Sequence, residues 1–446
     1  MNVPNFSRII FTFCILYFAF FISSCSVQNK IAKSANKNIL AAAPLQTAHV
    51  GISIYEPATN KYWYDYQGDK YFVPASNTKI PTCYAAMKYL GDSLVGLRYA
   101  IVNDTTLLIK PTGDPILLHS DFIKQSVLAF LKIANKHINI DMSGWQDNAL
   151  GFGWSWDDYN ESYMAERSAM PIYGDVATLY GTSNHWSFSP AIKGKVIDDT
   201  AQYQDNKHLS KVIRERAANV YRLTFNGATE RVLMIPFYTA SGETNEQLLQ
   251  NVINKRVLRL NSFTKDTLVR KFEIIHSQPT DSLLKPMMHR SDNFFAEQSL
   301  LMVSNEMLGV MNDEKIIDTL SKTDFKDLPQ KPRWVDGSGL SRYNLFTPQD
   351  FVSILNKMKN EFGMERIKVI FPTGGQGTLT NYYIADSNYI YAKTGTLSGV
   401  AAISGFLYTK KGKELIFSIL VNNHQASGTD IRRALEKFLQ GIRKKY

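Results

Sequence analysis

This sequence has few cysteines and no pattern typical of a metal site. Its three cysteines, at positions 14, 25 and 83, form no closely spaced pair, and its eight histidines show neither H-x-H nor H-E-x-x-H spacing. The sequence therefore predicts no metal and no other cofactor. Internal repeats, a glycine-rich phosphate loop and low-complexity tracts are absent as well.

An apolar run long enough to span a bilayer is also missing. The run near the start, residues 9–22, has fourteen residues, whereas a spanning helix needs about 20. Arg8 precedes this run, and the stretch ISSC, which ends at Cys25, closes it. The pattern predicts a secretion signal over residues 1–24.

The stretch ISSC resembles a bacterial lipobox, in which small residues precede a cysteine that becomes acylated. The resemblance implies that Cys25 carries lipid, and that the protein is exported and anchored to a bacterial membrane, by our prediction the outer membrane facing the periplasm. The alternative is a free cysteine after an ordinary signal. Residues 25–44, polar and then rich in alanine, are predicted to form a tether. With Cys14 removed, Cys83 is left without a disulfide partner.

The charge of the chain is basic but dispersed. Lysine and arginine number 50 against 40 acidic residues, which gives a formal charge of +10. Because the basic residues are spread along an exported chain, we expect no nucleic acid as partner and favour a cell wall bearing peptide carboxylates. The apolar fraction of 44% is that of an ordinary globular protein.

A serine and a lysine lie three residues apart where a helix is predicted to begin, in the stretch KYFVPASNTKIPTCYAAMKYL. Ser76 and Lys79 share one helical face at this spacing, so their side chains can meet. A neighbouring lysine is one way to activate a serine without histidine. Three other Ser-x-x-Lys pairs occur, at 34/37, 262/265 and 282/285, but only Ser76 follows a strand-like YFV and a proline. Such a strand-to-helix junction directs N–H groups at a substrate.

Two further short motifs follow in order along the chain. Ser291 and Asn293 lead into an amphipathic helical pattern, for which a plain helix N-cap is the simpler interpretation. Lys393, Thr394 and Gly395 occupy an alternating strand, and the simpler interpretation there is a strand that ends in a glycine turn. Each motif is weak evidence alone, and their order makes the combination specific.

The order Ser-x-x-Lys, Ser-x-Asn, Lys-Thr-Gly resembles that of the active-site serine penicillin-recognising enzymes. The first two motifs are 212 positions apart (291 − 79), so a large insert is implied. The stretches PTGDPILLHSDF and GWSWDDYNESYMAERSAM lie in it, and WVDGSGLSRYNLFTPQD follows the second motif. Together they resemble the D-alanyl-D-alanine carboxypeptidase/endopeptidase branch of the low-molecular-mass penicillin-binding proteins. The likeness spans roughly residues 48–440.

The resemblance implies a serine D,D-peptidase that cleaves peptidoglycan stem peptides or cross-links and binds β-lactam antibiotics. Ser76 would be the nucleophile and Lys79 its base, with a pKa lowered by burial and by the charge of Lys393. Ser291 would pass a proton to the leaving amine, and Asn293 would hold the substrate amide and Lys79.

The same resemblance implies groups that bind the substrate. Lys393 and Thr394 would meet the terminal carboxylate of D-alanine, next to Gly395. The backbone N–H groups of Ser76 and Thr396 would bind the oxyanion.

Some further residues have two possible interpretations each, and one proline affects the local geometry of a helix. Asp157 and Asp158 in the stretch WSWDD either contact the free amine of a wall diamino acid or lie in a solvated turn. Arg342 binds a stem-peptide carboxylate or is a structural ion-pair partner. Pro81 lies two positions after Lys79, which predicts a kinked or 3₁₀-like start of the helix.

The predicted fold class is multidomain α/β. A transpeptidase-like domain over 45–90 and 275–446 has an antiparallel sheet flanked by helices, and a largely β insert covers 91–274. Stretches such as ANVYRLTF and RVLMIPFYT predict strands there. Two functional alternatives remain beside the peptidase, namely a serine β-lactamase or esterase and a catalytically idle lipoprotein that binds the cell wall.

Overall fold

The computed structural model describes residues 27–182, 185–198, 211–224, 231–260 and 271–446. The predicted signal over 1–24 and the predicted lipidation site at Cys25 lie outside these ranges. Within the described ranges, no helix combines the length and the apolar character needed to cross a bilayer.

A five-stranded antiparallel sheet joins the two ends of the described chain. Its strands are β1 (His49–Glu56), β2 (Lys61–Tyr66), β14 (Ile390–Leu397), β15 (Val400–Tyr408) and β16 (Glu414–Asn422). Their order in the sheet is β14-β15-β16-β1-β2. Strand β15, VAAISGFLY, lies between β14 and β16 and is buried along almost its whole length. It is largely apolar because both faces of the sheet are covered, and the buried Ser404 hydroxyl is hydrogen-bonded to Ser418.

Helices cover the two faces of this sheet. They are α1 (27–35), α2 (Lys79–Tyr89), α5 (Thr280–His289), α6 (Asn293–Leu308), α7 (Asp313–Lys322), α8 (Pro348–Ile370) and α9 (Gly428–Lys445). Ala402 and Phe406 of β15 face a core formed with α2, α5, α6 and α8. Ala401 and Ile403 face a second core formed with α1 and α9. This alternation is the period of two expected of a strand.

The predicted tether differs from what the structure shows. Its described part is helical over 27–35 and 36–40, and Ile31, Ala35 and Ile39 are buried in the core beneath α9. These three residues recur every four positions, so they form one apolar stripe along a helix. Residues 27–40 are therefore part of the folded unit.

The other described strands, β3 to β13, form three sheets in and next to the insert. Its strands are β3 (Ser93–Ile101), β4 (Thr106–Lys110), β5 (His137–Asp141), β6 (Val176–Thr182), β7 (His185–Ser189), β8 (Lys195–Asp198), β9 (Lys211–Arg214), β10 (Val220–Thr224), β11 (Arg231–Pro236), β12 (Val257–Leu260) and β13 (Glu273–Pro279). The sheet orders are β12-β5-β4-β3-β13, β11-β6-β7 and β8-β10-β9. Helices α3 (Ser126–Ile133) and α4 (Glu243–Ile253) complete it.

The structure agrees with the predicted fold class. An antiparallel sheet is flanked by helices, and an additional β-rich region lies between β2 and α5 in the chain. The stretches ANVYRLTF and RVLMIPFYT contain β10 and β11. Strand β13 pairs with β3 and runs to Pro279, so the second sheet extends past the boundary predicted at 275.

Candidate active site

Ser76 lies on a short 3₁₀ turn, Ala75–Thr78, that leads directly into α2. Lys79 begins α2, and its Nζ is 3.0 Å from Ser76 Oγ. Pro81 is the third residue of α2, within the first turn, where a backbone N–H lacks an intrahelical partner in any helix. The 3₁₀ turn lies before Lys79, at Ala75–Thr78, and not at Pro81, which is part of the α-helix. Cys83 is fully buried in the core of α2, as a small apolar residue would be.

The Lys79 side chain is fully buried and has three oxygen partners. Its Nζ contacts Ser76 Oγ at 3.0 Å, Asn293 Oδ1 at 2.6 Å and the Ser338 carbonyl at 2.7 Å. Burial lowers the pKa of Lys79 to about 8, against an opposing effect of nearby carboxylates, first among them Asp336. A lysine with this pKa supplies a useful fraction of neutral amine near neutral pH.

A second buried lysine faces the serine of the second motif. Lys393 Nζ donates to Ser291 Oγ at 2.8 Å and to the Thr394 carbonyl at 2.7 Å. Burial lowers the pKa of Lys393 well below its usual value, and the charge of Lys79 lowers it further. The sequence predicted that burial and the charge of Lys393 together lower the pKa of Lys79. In the structure, burial is the cause that lowers the Lys79 pKa.

Ser291 is held just outside the helix that its motif begins. Asp292 is the N-cap of α6 and accepts from the Phe295 backbone N–H, so the helix starts at Asn293. The backbone of Ser291 has a φ of 62°, which is uncommon for a residue other than glycine. The N-cap interpretation is thus correct for Asp292, while Ser291 and Asn293 face the two lysines.

Two glycines allow backbone segments to pack against the Ser76 turn. A Cβ atom on Gly395 would lie 2.6 Å from the Pro74 carbonyl oxygen and 3.0 Å from the Ser76 nitrogen. Gly339 has a φ of +86°, and a Cβ there would lie 1.9 Å from the Ala75 carbonyl oxygen. Both positions exclude a side chain, because the close backbone approach would be lost.

One cavity of about 800 Å³ brings most of the predicted residues together. Its lining includes six of them, namely Ser76, Ser291, Asn293, Thr396, Arg342 and Asp158. Gly153, Ser155 and Tyr163 of the insert, together with Gly339, Leu340, Leu397 and Ser398, complete the wall. Thr394 is not part of this lining, and its Oγ1 is hydrogen-bonded to Thr378 Oγ1 at 2.7 Å. A groove of this size accommodates a peptide substrate beside the serine.

The model of the D-Ala-D-Ala carboxypeptidase 3 (S13) family matches residues 32–442 of this chain. The chain belongs to this family. The chain is 25% identical to the D-alanyl-D-alanine carboxypeptidase DacB of Haemophilus influenzae, over 94% of this chain and 95% of that protein. It is also 25% identical to the D-alanyl-D-alanine carboxypeptidase of Actinomadura sp. strain R39, over 86% and 80% of the two chains.

A solved structure supports the same fold for this S13 chain. The crystal structure of penicillin binding protein 4 (dacB) from Haemophilus influenzae aligns with a TM-score of 0.71 at 20% identity, over 92% of this chain and 98% of that one. Family membership confirms the predicted enzyme class, a serine-type D-Ala-D-Ala carboxypeptidase.

Arg342 and Asp158 lie on the rim of the S13 cavity. Arg342 Nη2 donates to the Ser398 carbonyl at 2.9 Å, and among the described residues no carboxylate lies within ion-pair distance of it. This contact differs from the structural ion pair that the sequence left open. Asp158 is a neighbour of Tyr163, whose pKa is raised to about 12 by burial and by the Asp158 carboxylate. Asp157 is exposed.

A buried ionic cluster beneath the S13 site was not found from the sequence. Arg167 of the insert contacts Asp147 at 2.8 Å, Asp313 at 2.6 Å and Glu297 at 3.4 Å. Glu297 Oε1 accepts from the Ser338 backbone N–H at 2.7 Å, and the Ser338 carbonyl contacts Lys79. Burial raises the pKa of Glu297 to about 8. The spacing of Glu297 four positions after Asn293 is a signal that would have placed both on one face of α6.

Replacing Arg167 by leucine is expected to lower the free energy of unfolding by about 3–5 kcal/mol, because one partner of a buried ionic cluster is removed. Without the arginine, the pKa values of the remaining acidic side chains would rise in the folded state. Protonation of these side chains at low pH would then restore part of the lost free energy of unfolding. The loss should therefore be smaller at pH 5 than at pH 8. Denaturant unfolding at the two pH values measures it.

The matched control for this prediction is Arg433→Leu, which removes an exposed arginine paired with Glu436 at 2.6 Å. Exposed ion pairs contribute little to stability, so this variant should unfold like the wild type at both pH values. Equal stabilities of the two variants would show that the cluster around Arg167 carries no special stability.

Proposed function

We propose that this S13 chain is exported and hydrolyses the D-Ala-D-Ala bond of peptidoglycan stem peptides through an acyl-enzyme on Ser76. One observation carries the proposal. The Nζ atom of a fully buried lysine, Lys79, lies 3.0 Å from Ser76 Oγ at the edge of a peptide-sized cavity. This pair supplies a nucleophile and a base in hydrogen-bond contact, the geometry that covalent acyl transfer requires.

Acylation begins when neutral Lys79 takes the proton of Ser76 as Oγ bonds to the carbonyl carbon of the penultimate D-alanine. The negative charge then moves to the carbonyl oxygen. The backbone N–H groups of Ser76 and Thr396 would donate to this oxyanion, since both residues line the cavity. Removing one such donor typically costs about 3–4 kcal/mol of transition-state stabilisation.

Collapse of the tetrahedral intermediate breaks the C–N bond and requires a proton for the leaving amine. Ser291 Oγ would relay to the amine the proton that Lys79 removed from Ser76, while Lys393, 2.8 Å from that oxygen, holds the Ser291 hydroxyl in place. The leaving amine belongs to free D-alanine in a carboxypeptidase reaction and to a second stem peptide in an endopeptidase reaction. Water then hydrolyses the ester on Ser76 and restores the serine.

Polar groups around the cavity would bind the charged groups of the substrate, namely its terminal carboxylate and an amine of the stem peptide. Lys393 and Thr394 would meet the terminal carboxylate if the Thr394 hydroxyl turns from Thr378. Arg342 is a second cation on the rim, and Asp158 would meet an amine further along the stem peptide. A β-lactam antibiotic would acylate Ser76 through the same attack on a carbonyl.

The proposal is tested by intact-protein mass spectrometry after incubation with penicillin, followed by peptide mapping. We expect one added penicillin, located at Ser76 and released slowly. Release within seconds would favour the β-lactamase or esterase alternative, and a chain that gains no mass would favour the idle wall-binding lipoprotein. An adduct at another serine would contradict the assignment of the nucleophile.

Removing the Thr394 hydroxyl should weaken recognition of the substrate carboxylate. We expect Thr394→Val to lower kcat/KM on a peptide ending in D-Ala-D-Ala. The fall should correspond to a loss of about 1.5–3 kcal/mol of transition-state stabilisation, the range for a hydrogen bond to a charged group. A peptide with an amidated terminus lacks the charge, so the same substitution should affect it much less. The four rate constants form a double cycle. Equal losses on the acid and the amide would leave recognition of the carboxylate to Lys393 or to Arg342.

The lipid anchor is a separate part of the proposal and is supported by the stretch ISSC before Cys25. We expect Cys25→Ser to move the protein out of the washed membrane fraction or to leave it uncleaved, because several acyl chains normally hold a lipoprotein. Palmitate labelling of both proteins measures this, with Cys83→Ser, a change at the buried thiol, as control. Wild-type protein without label would refute the anchor.

A further inference from the structure

Four chain segments meet at one corner of the catalytic sheet. The Tyr446 hydroxyl lies 3.5 Å from the carbonyl of Val27, where the described chain begins, and its ring contacts Trp63 on β2. The β15–β16 turn joins them, since the Lys411 backbone N–H donates to the Tyr446 carbonyl. We call this region the basic corner, and it contains seven lysines: Lys30, Lys61, Lys410, Lys411, Lys413, Lys444 and Lys445.

The charge of the basic corner is concentrated and largely unpaired. All seven lysines are exposed. Within the described part of the chain, only Lys413 among them has an ion-pair partner, the carboxylate of Glu56 at 2.9 Å. The segments 27–35, 57–63, 409–413 and 441–446 contain no aspartate or glutamate. A concentrated positive surface of this kind attracts an anionic one.

The basic corner lies at the opposite end of the strands from the catalytic serine. Gly395, whose Cβ position touches the Ser76 turn, pairs with Ala402 on β15. The other end of β15 is Tyr408, which pairs with Glu414 next to the lysine-rich turn. At about 3.4 Å per residue, the six steps from Ala402 to Tyr408 span roughly 20 Å.

We propose that the basic corner rests on the anionic headgroups of a lipid bilayer, so that the active-site cavity opens away from the membrane toward the cell wall. Charge complementarity supports a bilayer as the partner. The position of the chain start supports it as well, because Cys25, the residue proposed to carry lipid, lies only two positions before Val27. The surface does not depend on any catalytic step.

Vesicle co-sedimentation of residues 26–446, which include every described helix and strand, tests the surface without the acyl group. We expect binding to vesicles of phosphatidylcholine mixed with phosphatidylglycerol, loss of binding in high salt, and none to phosphatidylcholine alone. The variant K410Q/K411Q/K444Q/K445Q should bind at least tenfold more weakly. Penicillin labelling and thermal unfolding of both proteins check that the chain is folded.

The matched control is K124Q/K132Q/K326Q/K331Q, which removes the same charge from exposed lysines elsewhere and should bind like the wild type. With protein on the vesicles, an amine-acetylating reagent should modify Lys326 and Lys331 but spare Lys411 and Lys444. Equal weakening by both variants, or equal acetylation of all four lysines, would overturn the proposal. Binding to a soluble polyanion but not to the mixed vesicles would also overturn it.

Discussion

Ser76→Ala is expected to abolish covalent labelling by penicillin and to leave the fold intact. The hydroxyl is the group that would form the ester, and no other described hydroxyl lies within hydrogen-bond distance of Lys79 Nζ. Removing it costs the fold little, because Ser76 Oγ has one hydrogen bond, to Lys79, and alanine is tolerated at a helix start. Labelling is measured by intact mass and folding by circular dichroism.

The matched control is Ser282→Ala, which alters another Ser-x-x-Lys pair, on the exposed side of α5. This variant should label at the wild-type rate. A folded Ser76→Ala protein that still gains the mass of penicillin would refute the nucleophile assignment.

Lys79→Arg is expected to slow acylation by about 10²–10⁴-fold, the typical contribution of a positioned general base. Arginine keeps a positive charge at this buried position, but its guanidinium stays protonated and cannot accept the serine proton. The wild-type acylation rate should rise with pH and level off above about 8, because burial lowers the Lys79 pKa to about 8 and only the neutral amine is active.

The arginine variant should lose this pH dependence along with the rate, which stopped-flow measurements of acylation between pH 6 and pH 9 would detect. Lys357→Arg is the control, since it conserves an exposed ion pair with Asp327 at 2.7 Å. A Lys79→Arg protein with a wild-type rate would show that Lys79 positions Ser76 and does not remove its proton.

The three short motifs were sufficient to predict which residues lie together at the centre of the candidate site. Ser76 and Lys79 are local in sequence, so helical spacing alone brings them together. Their contact with Asn293 was predicted only from the resemblance, because no local rule connects residues so far apart. The position of Thr394, in contrast, differs from the one that the resemblance implied beside Lys393. Strand alternation directs it away from the face of Lys393, and the structure places it against Thr378.

The features that were missed depend on burial, which the sequence pattern did not reveal. In the sequence, nothing distinguishes Arg167 from a surface arginine. Only the fold brings Asp147 and Asp313 into contact with it. Charged residues are rarely buried unless they are paired, so no pattern favoured a core position. The helix over 27–35 was not predicted for a different reason, because polar residues surround Ile31 and Ala35 and the stretch is too short to show a clear apolar period.

The order of strands in the catalytic sheet also has a consequence for how the chain folds. His49 on β1 lies opposite Asn422 on β16. Strand β1 can therefore pair with β16 only once almost the whole chain is available. Pairing between such distant segments is slow, because a very long loop must close first. Before β16 pairs with β1, the hairpin of β1 and β2 has an unpaired edge of the kind that promotes aggregation. We therefore expect this protein to need protection of its N-terminal hairpin until β16 has taken its place beside β1.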